Sequence, residues 1–220
     1  MPRLSRYATL VFDCDGVLLD SNAVKTHAFG SVTEHYGVDI STAFVDYHVR
    51  NGGVSRYQKF SYLFSAILRR EPKSQELEQL LQAYACAVRE GLMRCAVAEG
   101  LEPLRQATRS SRWLVASGGD QQELREVFQA RGLADYFDQG IHGSPTPKDQ
   151  ILRDALLAGT IEQPALFIGD SRFDHLCAKK AGLDFVFVSR WSELPDWQGY
   201  CQRESVVIFD DIAALLQAWG

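Results

Sequence analysis

Cysteine is scarce and unpatterned: Cys14, Cys86, Cys95, Cys177 and Cys201 are odd in number and form no CxxC pair. Neither a disulfide framework nor a zinc site is indicated, and a reducing cytoplasm is the expected setting. Positive charge is not in excess, since 23 Lys and Arg face 28 Asp and Glu for a net charge of -5 and a pI near 5.5. Nucleic-acid binding is therefore not expected, because it needs a basic surface to neutralise phosphates. A small anionic substrate stays compatible, since local charge can oppose net charge. No apolar run approaches the ~20 residues of a membrane span. The start MPRLSRYATL lacks the apolar stretch and cleavage site of a signal peptide. No membrane partner and no obligate protein partner is read from the sequence. Internal repeats and low-complexity segments are absent. No GxGxxG follows the first apolar run, which sets aside a nucleotide-binding oxidoreductase.

What is present is the make-up of a folded domain, 46% hydrophobic and 23% charged over 220 residues. Five short apolar runs stand at 9–12, 113–116, 165–168, 185–188 and 206–209. They lack polar alternation, as expected for strands covered on both faces of a parallel sheet. Helical patterns fall between most of them, at 120–131, 149–158 and 172–181. The order predicts an α/β fold with a doubly wound, Rossmann-like parallel sheet. Residues 21–92 break the rhythm. They hold two helical stripes, Phe60, Leu63, Phe64, Ile67 and Leu68, then Leu77, Leu80, Leu81, Tyr84, Val88 and Leu92, read as mutual packing faces. The expected organisation is a core of residues 1–20 and 93–220 with a small all-helical cap, 21–92, above the carboxyl ends of the strands.

Four motifs sit where these runs end. In Leu10-Val11-Phe12-Asp13-Cys14-Asp15-Gly16 an apolar run stops at two carboxylates one residue apart. Continued strand geometry would put both on one face, where two anions repel unless a cation intervenes, and a hard divalent ion is the economical solution. Ser117-Gly118-Gly119-Asp120 offers a hydroxyl and bare amides before a helix, a cradle for phosphate oxygens or simply a turn and N-cap. Lys148 follows the proline-bracketed segment Ser144-Pro145-Thr146-Pro147. Gly169-Asp170-Ser171-Arg172-Phe173-Asp174 places Asp174 one helical turn after Asp170. Together these form an inventory for phosphoryl transfer: hard oxygen ligands, a nucleophilic carboxylate and fixed donors.

The same motifs in this order resemble the signature of the haloacid dehalogenase superfamily, in DxDGVLxDS, Ser117, Lys148 and the GDSxxD run. The resemblance implies that Asp13 attacks phosphorus to form an aspartyl-phosphate. It makes Asp15 the acid that protonates the leaving oxygen and then the base that activates water. Asp13, the backbone carbonyl of Asp15 and Asp170 would hold Mg²⁺, with Asp174 assisting. Ser117, Gly118 and Lys148 would stabilise the phosphoryl group, with Gly16 beside it. Asp15 itself points to phosphorus, because the founding dehalogenases attack carbon without it. The phosphonate hydrolases of the superfamily use a cap lysine, for which Lys25 or Lys59 is available but in no recognisable motif.

The insert resembles the cap of phosphoglycolate phosphatases and β-phosphoglucomutases. Its loop Asn51-Gly52-Gly53-Val54-Ser55-Arg56 is similar to the one with which the mutases contact a sugar phosphate. That likeness implies a sugar or polyol phosphate, with Arg56 anchoring a second anionic or hydroxylated group. The plain alternative is a glycine turn with Ser55 as cap and Arg56 solvated. Lys25 stands where the mutases have a histidine, and it is also a candidate substrate contact. The leading expectation is a Mg²⁺-dependent phosphomonoester hydrolase for a small phosphorylated metabolite. A β-phosphoglucomutase-like isomerase and a non-catalytic binding protein on the same fold are the alternatives.

Overall fold

The computed structural model describes residues 3–220. Strand β1 (Thr9–Phe12) is buried at all four positions. It therefore occupies the middle of a six-stranded sheet of order β3-β2-β1-β4-β5-β6. The partners are β2 (Arg112–Asp120), β3 (Ile141–Ser144), β4 (Ala165–Gly169), β5 (Asp184–Val188) and β6 (Val207–Phe209), and every pairing is parallel. The chain winds outward from β1 in both directions, so a crevice opens at its carboxyl end, where open α/β sheets bind ligands.

Five of the six strands coincide with the apolar runs read from the sequence. The third, β3, escapes that reading because its four residues, Ile-His-Gly-Ser, form no apolar run. One expectation is corrected. The run at 206–209 is not covered on both faces, for β6 pairs only with β5 and leaves Val207 45% and Ile208 39% exposed. An apolar run carries no mark of whether it lies at the centre or the edge of a sheet.

Helices α6 (Gln121–Ala130), α7 (Lys148–Leu157) and α8 (Arg172–Ala181) follow β2, β3 and β4. Their starts are written locally. The Asp120 carboxylate accepts from the Glu123 amide at the start of α6. Ser171 and Asp174 form a reciprocal capping box at the start of α8, which ends on Gly182 in the left-handed region.

Between β1 and β2, ahead of α5 (Leu101–Ala107), lie α1 (Asn22–Thr33), α2 (Val38–Arg50), α3 (Arg56–Tyr62), a π-helical turn (Leu63–Ile67) and α4 (Glu76–Arg94). Their centre is aromatic: Phe29 packs against Phe44 at 5.4 Å, Phe60 at 5.5 Å and Tyr84 at 4.2 Å between ring centroids. The two stripes bury Phe60, Leu63 and Phe64, and Leu80, Tyr84, Val88 and Leu92. Ile67 and Leu68 are half-buried, where the π turn takes the chain off the 3.6-residue period. Among the described residues, no helix is long and apolar enough to cross a membrane.

Candidate active site

The crevice collects the motifs. Asp13 leaves the end of β1, and its Oδ1 accepts from the Cys14 amide at 2.7 Å and lies 2.9 Å from the Lys148 ammonium. Lys148, the first residue of α7, also pairs with Asp174. Asp170 follows β4, and its Oδ2 accepts from Asn22 at 2.7 Å. Asp13, Asp170 and Asp174 are all buried and offer ligand atoms within 4.8 Å of one another. Three carboxylates around one ammonium leave a formal excess of two negative charges. Burial, then the neighbouring Asp174, pushes the Asp13 carboxyl up to about 7 against the pull of Lys148. Burial followed by Asp174 and Asp13 raises Asp170 well above the carboxylate range. Buried oxygens with unbalanced negative charge fit a hard divalent cation.

Asp15 is two residues away but has different company. Its carboxylate accepts from Ser21 at 2.6 Å and from the Lys25 ammonium at 2.5 Å. Burial alone would raise its carboxyl, but Lys25 and Ser21 outweigh burial and hold it below the ordinary value. The strand alternation anticipated for Asp13 and Asp15 does not persist, since β1 ends at Phe12. The chain turns instead through Gly16, which has φ +75°. A Cβ there would lie 2.1 Å from Asp170 Oδ2, so glycine lets the first motif close against the fourth.

Ser117 is fully buried, and its Oγ accepts from the Gly119 amide at 3.0 Å. It lies where the β2–β3 register shifts, between Ala116 and Asp120, an irregularity that frees amides from the ladder. Gly118 meets the helical insert directly, for a Cβ on it would stand 2.1 Å from the Gly53 carbonyl oxygen. The loop at 51–56 therefore presses against Gly118. The space beside this contact is lined by Asp15, Lys25, Arg56, Gly118 and Asp170 among others.

Arg56 is buried rather than solvated, although it lines this space. It pairs with Glu123 of α6 and lies over the Tyr84 ring at 4.6 Å, while Ser55 caps α3 as anticipated. Beside it, Tyr57 donates to Asp120 at 2.8 Å, so two residues of α3 hold Glu123 and Asp120. Sequence reading singled out neither Glu123 nor Asn22. Asn22 adjoins the first motif and could have been found there. Glu123 looks like any acid in a helix's first turn.

The profile of the haloacid dehalogenase-like hydrolases matches residues 10–188 of this chain. Fructose-1-phosphate phosphatase YqaB of Escherichia coli is 26% identical over 195 residues, covering 83% of this chain and 97% of that protein. Among solved structures, one from Lactobacillus plantarum, provisionally described as a phosphoglycolate phosphatase, superposes with a TM-score of 0.73 at 22% identity, covering 96% of this chain and 98% of that one. Another from Bacteroides vulgatus, provisionally described as a β-phosphoglucomutase, gives 0.75 at 15% identity over 98% and 88%. These structures share the fold, and the family profile spans β1 through β5 with every motif of the crevice inside it. The chain belongs to the haloacid dehalogenase-like hydrolases.

Proposed function

We propose that the chain hydrolyses a small phosphomonoester, a sugar or polyol phosphate, with Mg²⁺ and through an aspartyl-phosphate on Asp13. The reading rests above all on the separation of two neighbouring carboxylates into different environments: Asp13 against Lys148 and two other acids, Asp15 against Ser21 and Lys25. Environments that push two carboxylates apart are how one site obtains a nucleophile and an acid–base. The activity of the Escherichia coli relative, named for fructose 1-phosphate, supports the substrate class.

Asp13, Asp170 and the backbone carbonyl of Asp15 would hold the ion, with Asp174 beside them. Bound there, Mg²⁺ would supply charge neutralisation for the carboxylates and the phosphoryl oxygens. Asp13 attacks phosphorus in line while Lys148, Ser117 and the Gly118 amide hold the equatorial oxygens. Asp15 needs a proton to release the alcohol, and the Lys25 pair opposes that in the ligand-free site. An incoming phosphate dianion competes for Lys25 and raises the proton affinity of Asp15. Once the alcohol has left, Asp15 is the base that takes a proton from water attacking the phospho-Asp13. Release of inorganic phosphate from p-nitrophenyl phosphate and sugar phosphates with Mg²⁺ tests the reading. Interconversion of sugar phosphates without net release overturns it in favour of a mutase.

The metal assignment has a test apart from activity. A carboxyl with a folded pKa above its unfolded value binds more protons folded than unfolded. Such a group stabilises the fold least once the pH exceeds the folded pKa. In metal-free protein, Asp13 therefore costs stability as pH rises from about 4 to about 7, and Asp170 acts in the same direction. Mg²⁺ need not displace the Asp13 proton at pH 8 but must at pH 5. The rise in melting temperature on adding Mg²⁺ is expected to be larger at pH 8. An equal or smaller rise counts against these ligands.

The helical insert, residues 21–92, acts in this reading as a cap that opens to admit substrate and closes to exclude water. Arg56–Glu123 is then a closing contact. Glu123→Ala is expected to raise KM several-fold with little loss of melting temperature, because an open cap rehydrates the orphaned guanidinium. A fall in melting temperature of many degrees with KM unchanged would make the pair a folding contact instead.

A further inference from the structure

Three cationic side chains face the space under the insert, from α1 and α3: Lys25, Arg56 and Lys59. Two are spoken for, Lys25 by Asp15 and Arg56 by Glu123. Lys59 is different. It is 2% exposed, yet among the described residues it forms no ion pair. Its Nζ lies 2.7 Å from His48 Nδ1 and 5.5 Å from the centre of the Phe29 ring.

The histidine contact is oriented by a chain of hydrogen bonds. Thr26 donates its hydroxyl to Glu193 Oε2 at 2.6 Å, and His48 Nε2 stands 3.0 Å from the same hydroxyl oxygen. That oxygen has spent its proton on the carboxylate, so it accepts from His48, which then carries its proton on Nε2 and presents a bare Nδ1 to Lys59. Burial, then the charges of Lys59 and Lys25, holds His48 far below its ordinary pKa, consistent with a neutral ring. Glu193, Thr26, His48 and Lys59 thus run from the core loop after β5 through α1 and α2 to α3. The chain occupies one ammonium proton and leaves the others without an acceptor among the described residues. A buried ammonium in that state is costly. Burial, then Lys25, draws Lys59 down to about 7, with Asp15 and Glu193 opposing and Lys148 adding to the effect.

We infer that Lys59 is a specificity residue whose missing partner is an anionic group on the substrate other than the ester phosphate, a carboxylate or a second phosphate. His48 and Thr26 position it. The inference rests on the hydrolase reading above and moves the second anchor from Arg56, which Glu123 already holds, to Lys59. A wholly neutral sugar would leave the ammonium as uncompensated as it is now.

The test compares kcat/KM with Mg²⁺ for matched esters: 6-phosphogluconate against sorbitol 6-phosphate and 3-phosphoglycerate against glycerol 3-phosphate for the carboxylate, fructose 1,6-bisphosphate against fructose 1-phosphate for the second phosphate. The native protein is expected to favour the anionic member of at least one kind of pair by on the order of 10- to 100-fold, the range of a charge-assisted hydrogen bond. Lys59→Met is expected to bring that ratio near unity through KM, and Lys59→Arg to retain part of it. A preference for the neutral members in the native protein, or an anionic preference that survives Lys59→Met, overturns the inference. Should Lys59→Met fail to fold, the native ratios and Lys59→Arg decide. Hydrolysis of p-nitrophenyl phosphate and neutral esters without an anionic preference sinks the inference alone. Silence on every ester, p-nitrophenyl phosphate included, sinks the hydrolase reading and this inference with it.

Discussion

Asp13→Asn is expected to lower phosphate release by on the order of 10⁴-fold or more, the scale on which loss of a nucleophile is felt, in a protein that stays folded. The substitution is nearly silent to the structure. Both contacts of Asp13, from the Cys14 amide and from Lys148, fall on Oδ1, and an asparagine carbonyl oxygen accepts both. The change is confined to the other position, where an amide replaces the second carboxylate oxygen of Asp13. There it removes one of three crowded negative charges and supplies a donor. Metal-free Asp13→Asn is therefore expected to melt no lower than the native protein at pH 8, and its response to Mg²⁺ is expected to shrink. Phosphate release and thermal melts with and without Mg²⁺ check all three. A folded variant that keeps activity within tenfold removes Asp13 from the role of nucleophile.

The parts of the site that were legible in the sequence are those that strand ends create. An apolar run that stops at Asp13 or Asp170 announces a carboxylate at the edge of a sheet, and parallel order brings such edges together. Lys148 was legible only through the family resemblance. As a lone lysine it looks solvated, and its burial between Asp13 and Asp174 depends on where β3 delivers it, a strand of four residues with no apolar run. Contacts between distant segments left no trace. Glu123 lies 67 residues from Arg56 and Glu193 lies 167 from Thr26, and neither spacing has a period. His48 and Lys59 are on different helices of the insert, whose stripes reveal that they pack but not which polar residues become trapped between them. Composition favours an exposed lysine, so the sequence argues against the arrangement that makes Lys59 informative.

Lys148→Met is expected to damage stability and turnover together, and the pH at which each is measured separates the causes. The ammonium is fully buried against Asp13 and Asp174, and these two carboxylates raise its pKa although burial opposes them. Methionine keeps the length of the side chain and removes the charge. Breaking a buried pair by deleting one partner costs about 3–5 kcal/mol, which is roughly 6–20 °C in melting temperature for a chain of this size. The loss is expected to be largest in metal-free protein at pH 8. At pH 5 the site can take up protons on Asp13 and Asp170, whose carboxyls burial already favours in the neutral form, and much of the repulsion disappears. Mg²⁺ is expected to restore part of the stability at pH 8, because it supplies positive charge to the same oxygens. Turnover is not expected to return with it. In the proposed mechanism Lys148 also answers charge that develops on the phosphoryl oxygens, and removal of one such donor costs about 10²- to 10³-fold in kcat. If Mg²⁺ rescued both melting temperature and kcat, Lys148 would be a counterion for Asp13 and Asp174 and nothing more. If kcat stayed low in a fully stabilised protein, the same ammonium would hold the fold together and the transition state in place.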